Sequence, residues 1–125
     1  MKKSLHHWVR IAEQEAEHTL HCLPPAVRER ATAIPVTCVS RPTRAMQEDG
    51  VNPDLLGLFV GEAYPLADAP GGDLPAQILL FVENLADYAD FDETIFREEV
   101  RTTYLHELGH YLGLDEAALV QRDLD

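Results

Sequence analysis

The stretch from Asp92 to Leu112 most constrains what this chain can fold into. Residues 92–105 contain no glycine or proline, and Phe96, Val100, Tyr104, Leu108 and Leu112 recur every four residues. At about 100° per residue this recurrence draws one apolar stripe along a long helix, and the rest of the fold has to cover it. Asp92 suits the N-cap, and Glu93 lies in the positive first turn. His106 and His110 fall well away from the stripe. Four residues apart, they stand one turn from each other and roughly 40° apart, so both imidazoles can hold one metal ion. Glu107 is one step round, where a carboxylate can take a proton from metal-activated water. The run continues as His-Glu-Leu-Gly-His-Tyr-Leu-Gly-Leu-Asp-Glu, residues 106–116. Gly113 tolerates positive φ and lets the chain turn back. Glu116, or its neighbour Asp115, then offers an oxygen as third ligand.

The five-residue core of this motif, H-E-x-x-H, would arise by chance in roughly one chain of this length in a few hundred. The added glycine and acid, on a helix that has a separate core face, make an accidental match far rarer. The same residues on an ordinary amphipathic helix would be two exposed histidines with no further consequence.

Upstream, residues 4–21 carry Leu5, Trp8, Ile11, Ala12, Glu15 and His18 at helical spacing, with Trp8, Ile11 and Leu20 expected to pack inward. Pro24 and Pro25 end that helix, and Pro25 is placed to start a short one through Arg30. Ile34–Ser40 is β-branched and strand-like, with Pro35 pointing to an edge or a strand start. Residues 41–54 hold Pro42, Gly50 and Pro53 and are expected to be mainly loop, with room for a helical turn. Leu55–Gly61 is a second strand, residues 62–75 a long Pro/Gly-rich loop, and Ile78–Val82 a compact apolar strand. Short helices are expected over 83–90 and 115–122. Strands and helices mix without regular βαβ alternation, which gives an α+β class and one domain over residues 1–125.

Charge narrows the partners. The chain is 46% hydrophobic and 26% charged, with a net charge of −12. Residues 83–125 hold 12 acids and 3 bases, so most of the excess surrounds the motif. This argues against nucleic-acid backbones and anionic membranes and favours a neutral or cationic substrate. Cys22 and Cys38 are the only cysteines and are expected to be reduced, mostly buried thiols. Lys2 and Lys3 are not followed by an apolar h-region, and no apolar run reaches membrane-spanning length, so a cytoplasmic protein is expected.

The motif, Leu55-Leu56-Gly57-Leu58-Phe59, the Pro/Gly-rich loop, the Ile78–Val82 run and residues 100–119 together resemble the small bacterial zincin-like, or "minimal", metallopeptidases over roughly residues 8–120. The resemblance implies a compact zincin-like domain with a small sheet packed on a long C-terminal active-site helix. It also implies one Zn²⁺ per chain on His106 and His110, with Glu116 at the position of the third ligand, and Glu107 as general base acting on peptide or protein substrates. Only nine residues follow Glu116, so the separate downstream helix that carries a glutamate ligand in thermolysin-like enzymes is not expected. Met1 and Met46 both precede the motif, so it has no Met-turn of the metzincin kind. By the same resemblance, the Ile78–Val82 strand is a place for an extended peptide to pair.

Tyr104 and Tyr111 are candidate oxyanion donors, although their helical phase favours packing roles. His18, His21 and Cys22 have helical i, i+3, i+4 spacing suited to a metal. His6 and His7 read as surface residues. Two other functions fit the motif: a metal-binding interaction module that hydrolyses nothing, and another metal-dependent hydrolase, such as an endoribonuclease with related histidine spacing. In the latter a histidine would stand where this chain has Glu116. The sequence sets no oligomeric state.

Overall fold

The computed structural model describes residues 4–61 and 76–112. Helix α1 runs Leu5–His21, capped by Ser4, whose hydroxyl accepts from the His7 amide at 3.2 Å. Pro25 opens α2, Pro25–Thr32. Strand β1, Val36–Val39, is followed by the short α3, Arg44–Glu48, capped by Thr43. Strand β2 is Gly57–Val60 and β3 is Gln77–Phe81. Helix α4, Val82–Tyr88, leads into α5, Glu93–Leu112. The loop expected at 62–75 and the final helix expected at 115–122 lie outside the described residues.

The elements make a mixed α+β fold. The three strands are ordered β1-β3-β2, with β1 parallel and β2 antiparallel to β3. This corrects one expectation: the Ile-Leu-Leu-Phe run is the central strand, with a partner on each side, so it has no free edge to offer a peptide. Its composition agrees with that place, since Ile78, Leu79, Leu80 and Phe81 are all buried and a strand covered on both faces is continuously apolar.

Helix α1 packs against β1, α5 against β2 and β3, and the two helices against each other. Trp8 and Phe96 meet at 4.6 Å between ring centroids, and the α5 stripe of Phe96, Val100, Tyr104 and Leu108 is fully buried. A tight turn between α4 and α5 sets the course of α5. Asp90 and Phe91 take positive φ values of 56° and 59°, and Asp92 then caps the helix by accepting from the Ile95 amide at 3.0 Å.

The lead-in to β2 is tied down by a buried amide. Asn84 Nδ2 donates to the Pro53 and Leu55 carbonyls at 2.7 and 2.9 Å, while its Oδ1 accepts from Arg41 at 2.7 Å. Arg41 also pairs with Glu83 and Asp87, so one guanidinium links the end of β1 to α4. These bonds hold residues 53–55, and with them the start of β2, in a set place.

Two side chains depart from expectation. Cys22 is exposed and only Cys38 is partly buried, because Cys22 is the C-cap of α1 and faces solvent at the helix end. His6 is exposed as expected, and His7 is half-buried, with its Nε2 out of reach of solvent, without a hydrogen bond, 3.8 Å from Glu93. Among the described residues no helix is long and apolar enough to cross a membrane.

Candidate metal centre

Helix α5 presents two imidazoles and a carboxylate within about one turn. His106 and His110 point outward with side chains 44% and 56% exposed, and their rings stand 4.5 Å apart between centroids. Glu107 between them is 10% exposed. Helical phase explains the difference. Glu107 projects roughly 20° from Phe96, at the rim of the apolar stripe, whereas both histidines project about 40–80° beyond that rim.

The buried carboxylate is anchored by the sheet. Glu107 Oε1 accepts from the Phe59 backbone N–H at 2.9 Å. Phe59 can donate there because of the β2 register. The Phe81 amide donates to the Leu56 carbonyl at 2.9 Å, and Phe59 lies opposite Ile78. Hydrogen-bonded and non-bonded pairs alternate in an antiparallel ladder, so the Phe59 N–H faces away from β3 and toward α5. Tyr111 packs on the Phe59 ring at 5.4 Å between centroids.

The helix comes this close because residue 57 has no side chain. A Cβ at Gly57 would collide with Thr103 Cγ2 and stand 3.2 Å from the Leu79 carbonyl oxygen and 3.7 Å from Glu107 Cγ. Thr103 and Glu107 sit one turn apart on the face of α5 that meets β2.

Glu107 Oε2 lies 3.9 Å from His106 Nε2, and Oε1 lies 3.8 Å from His110 Nδ1. One ligand-type atom from each of the three residues falls within 4.8 Å of the others, the one such group among the described residues. Two imidazoles and a carboxylate suit zinc and similar divalent ions. Because the Phe59 amide and burial tether its carboxylate, Glu107 is better placed to move protons beside a metal than to serve as a mobile ligand.

The other residues singled out from sequence divide clearly. Tyr104 is fully buried, and burial, followed by the charge of Glu17, pushes its hydroxyl up to about 12. Its cleft is lined by Glu13, Glu17, Ile34 and Val36, groups of α1 and the β1 region rather than of the histidine face. Tyr111 is buried against Phe59. Both tyrosine rings thus pack in the core. Gly113, Asp115 and Glu116 lie outside the described residues. The contributions of Phe59, Gly57 and Thr103 were not anticipated. A glycine isolated within a strand-like run is the signal that could have drawn attention to Gly57.

A family model described as zincin-like metallopeptidase matches residues 31–124, a span that contains the whole sheet and α5. Comparison with curated proteins gives no match.

Proposed function

Since the chain belongs to the zincin-like metallopeptidase family, we propose that it is a zinc-dependent peptidase with His106 and His110 as metal ligands and Glu107 as general base. The observation that carries this reading is the buried, backbone-anchored carboxylate of Glu107 flanked by two outward imidazoles. Glu116 supplies the third ligand in this proposal, with Asp115 as the alternative. Zinc bound there would supply Lewis-acid polarisation of a carbonyl and would lower the pKa of water to about 7.

The chain's own residues do the remainder. The Phe59 N–H holds one Glu107 oxygen, which fixes the carboxylate plane and leaves Oε2 directed toward His106. From there Glu107 takes the proton of the attacking water and delivers it to the leaving amine, a general acid–base role that needs a set position more than reach. The charge of −12 favours neutral or cationic peptides as substrates and disfavours RNA. A cytoplasmic location and a single domain belong to the same proposal.

The test is hydrolysis of a mixed peptide library by zinc-loaded protein, with Glu107→Gln as control. Gln retains an oxygen for the Phe59 amide and is expected to retain zinc while losing turnover. Hydrolysis by Glu107→Gln at the parent rate would refute the general-base role. Zinc retention by both proteins without hydrolysis by either would favour a metal-binding interaction module.

A further inference from the structure

A thiol and an imidazole stand close together at the end of α1, apart from the α5 centre, with a second imidazole one turn away. Cys22 Sγ and His18 Nε2 are 3.8 Å apart, and both residues are exposed. Beside them His21 Nε2 meets Glu17 Oε1 at 2.9 Å, with side chains 65% and 67% exposed. Thus residues 17, 18, 21 and 22 form two adjacent i, i+4 rungs on the outer side of a helix whose inner side holds Trp8, Ile11, Ala12, Ala16 and Thr19.

We propose that His18, His21 and Cys22 form a separate binding site for a thiophilic divalent ion such as zinc. With bonds of about 2.0 Å to nitrogen and 2.3 Å to sulfur at a tetrahedral angle, one zinc requires S···N of roughly 3.5 Å. The observed pair is within a few tenths of an ångström of that spacing. His21 lies about 60° round the helix from His18 and reaches the same ion by giving up Glu17, a contact between two largely exposed side chains.

The backbone contributes as well. Cys22 is the C-cap, and its N–H donates to the His18 and Thr19 carbonyls, so the thiol is held in helical register with His18. The C-terminus of a 17-residue helix carries partial negative charge and favours a cation. Arg28, which donates to the His21 carbonyl at 3.3 Å, already answers that preference at one group. A ligand set of one thiolate and two imidazoles selects zinc-like ions over magnesium or calcium. The site is independent of the α5 histidines and of the reading of their function.

Cobalt(II) is the probe. In His106→Ala/His110→Ala protein kept under a non-thiol reductant, added cobalt is expected to give a thiolate-to-cobalt charge-transfer band, which excess zinc bleaches. The band should vanish on adding Cys22→Ser and weaken on adding His18→Ala or His21→Ala. No band in the parent double variant, or a band that survives Cys22→Ser, would overturn the proposal. Should the double variant fail to fold, zinc content of the otherwise intact chain answers the same question. Cys22→Ser is expected to lower it by one ion per chain, and an unchanged content overturns the site. These substitutions fall at exposed positions, so the circular dichroism of the metal-free protein should not change.

Discussion

Replacing Gly57 by alanine tests whether close approach of α5 to β2 builds the centre. The new Cβ would meet three atoms: Thr103 Cγ2, the Leu79 carbonyl oxygen at 3.2 Å, and Glu107 Cγ at 3.7 Å. Leu79 belongs to the central strand, paired on both sides, so its carbonyl cannot retreat. Relief has to come from α5. Overpacking of this kind costs about 1–3 kcal/mol. Alanine also restricts the unfolded chain relative to glycine, which offsets about 0.4–1 kcal/mol of that. The net expectation is a loss of about 1–2 kcal/mol, with Tm falling roughly 3–6 °C per kcal/mol for a domain of this size.

The assay is urea and thermal unfolding by circular dichroism, run as a double-mutant cycle with Thr103→Ser. Serine removes the obstructing methyl at a cost of about 0.8 kcal/mol by itself. In the Gly57→Ala background it should instead recover stability, with a coupling of about 1 kcal/mol. Gly57→Ala within about 0.5 kcal/mol of the parent, or strictly additive effects of the two changes, would refute the claim that this contact sets the helix–strand distance.

Three further outcomes follow from the same geometry. Asn84→Ala strips donors from the Pro53 and Leu55 carbonyls and should cost about 2–3 kcal/mol by urea unfolding, with a value under about 0.5 arguing against its structural role. Alkylation at about pH 8 should label Cys22 and spare Cys38, because burial, then the charge of Glu13, lifts the Cys38 thiol from 9.0 to about 11. The neutral thiol is favoured in the fold, so its contribution to stability is intact below the unfolded pKa of 9.0 and is lost as pH rises through about 11; equal labelling of both cysteines at about pH 8 would contradict this. Zinc at about one hundred times its Kd should stabilise the fold by about 2.7 kcal/mol. In a Cys22→Ser background that gain should disappear with His110→Ala; its persistence would place the metal elsewhere.

How much of this was legible in the sequence varies by element. Helix α5 was open to reading from Asp92 to Leu112 because its period and its cap agree, and local signals that agree seldom mislead. The burial of Ile78–Phe81 could be read from composition, but its central place could not. That depends on which short strands flank it, and β1 and β2 are four residues each, too short to announce their partners. Cys22 was misjudged because cysteine composition favours burial, whereas its cap position at the end of α1 turns it outward. His106 and His110 were visible as a motif. The anchor of Glu107 was not, since its donor is a backbone N–H 48 residues away and a backbone amide has no sequence signature.

That anchor also bears on the cation proposed for this site. A carboxylate that is 10% exposed needs compensation for lost hydration. Among the described residues Glu107 has one hydrogen bond, from the Phe59 amide, and two imidazoles at 3.8 and 3.9 Å. A single amide does not replace the water shell of a charge. In the proposed site a divalent ion held by His106 and His110 would bring positive charge beside Glu107, so that binding the ion and burying the base would reinforce each other. Glu107→Gln separates the two effects. It keeps the acceptor and the shape but removes the charge, so zinc affinity should fall modestly while α5 stays in place. A variant with unchanged unfolding behaviour, weaker zinc binding and no hydrolysis would show Glu107 acting through its charge on the metal and through its basicity on the reaction.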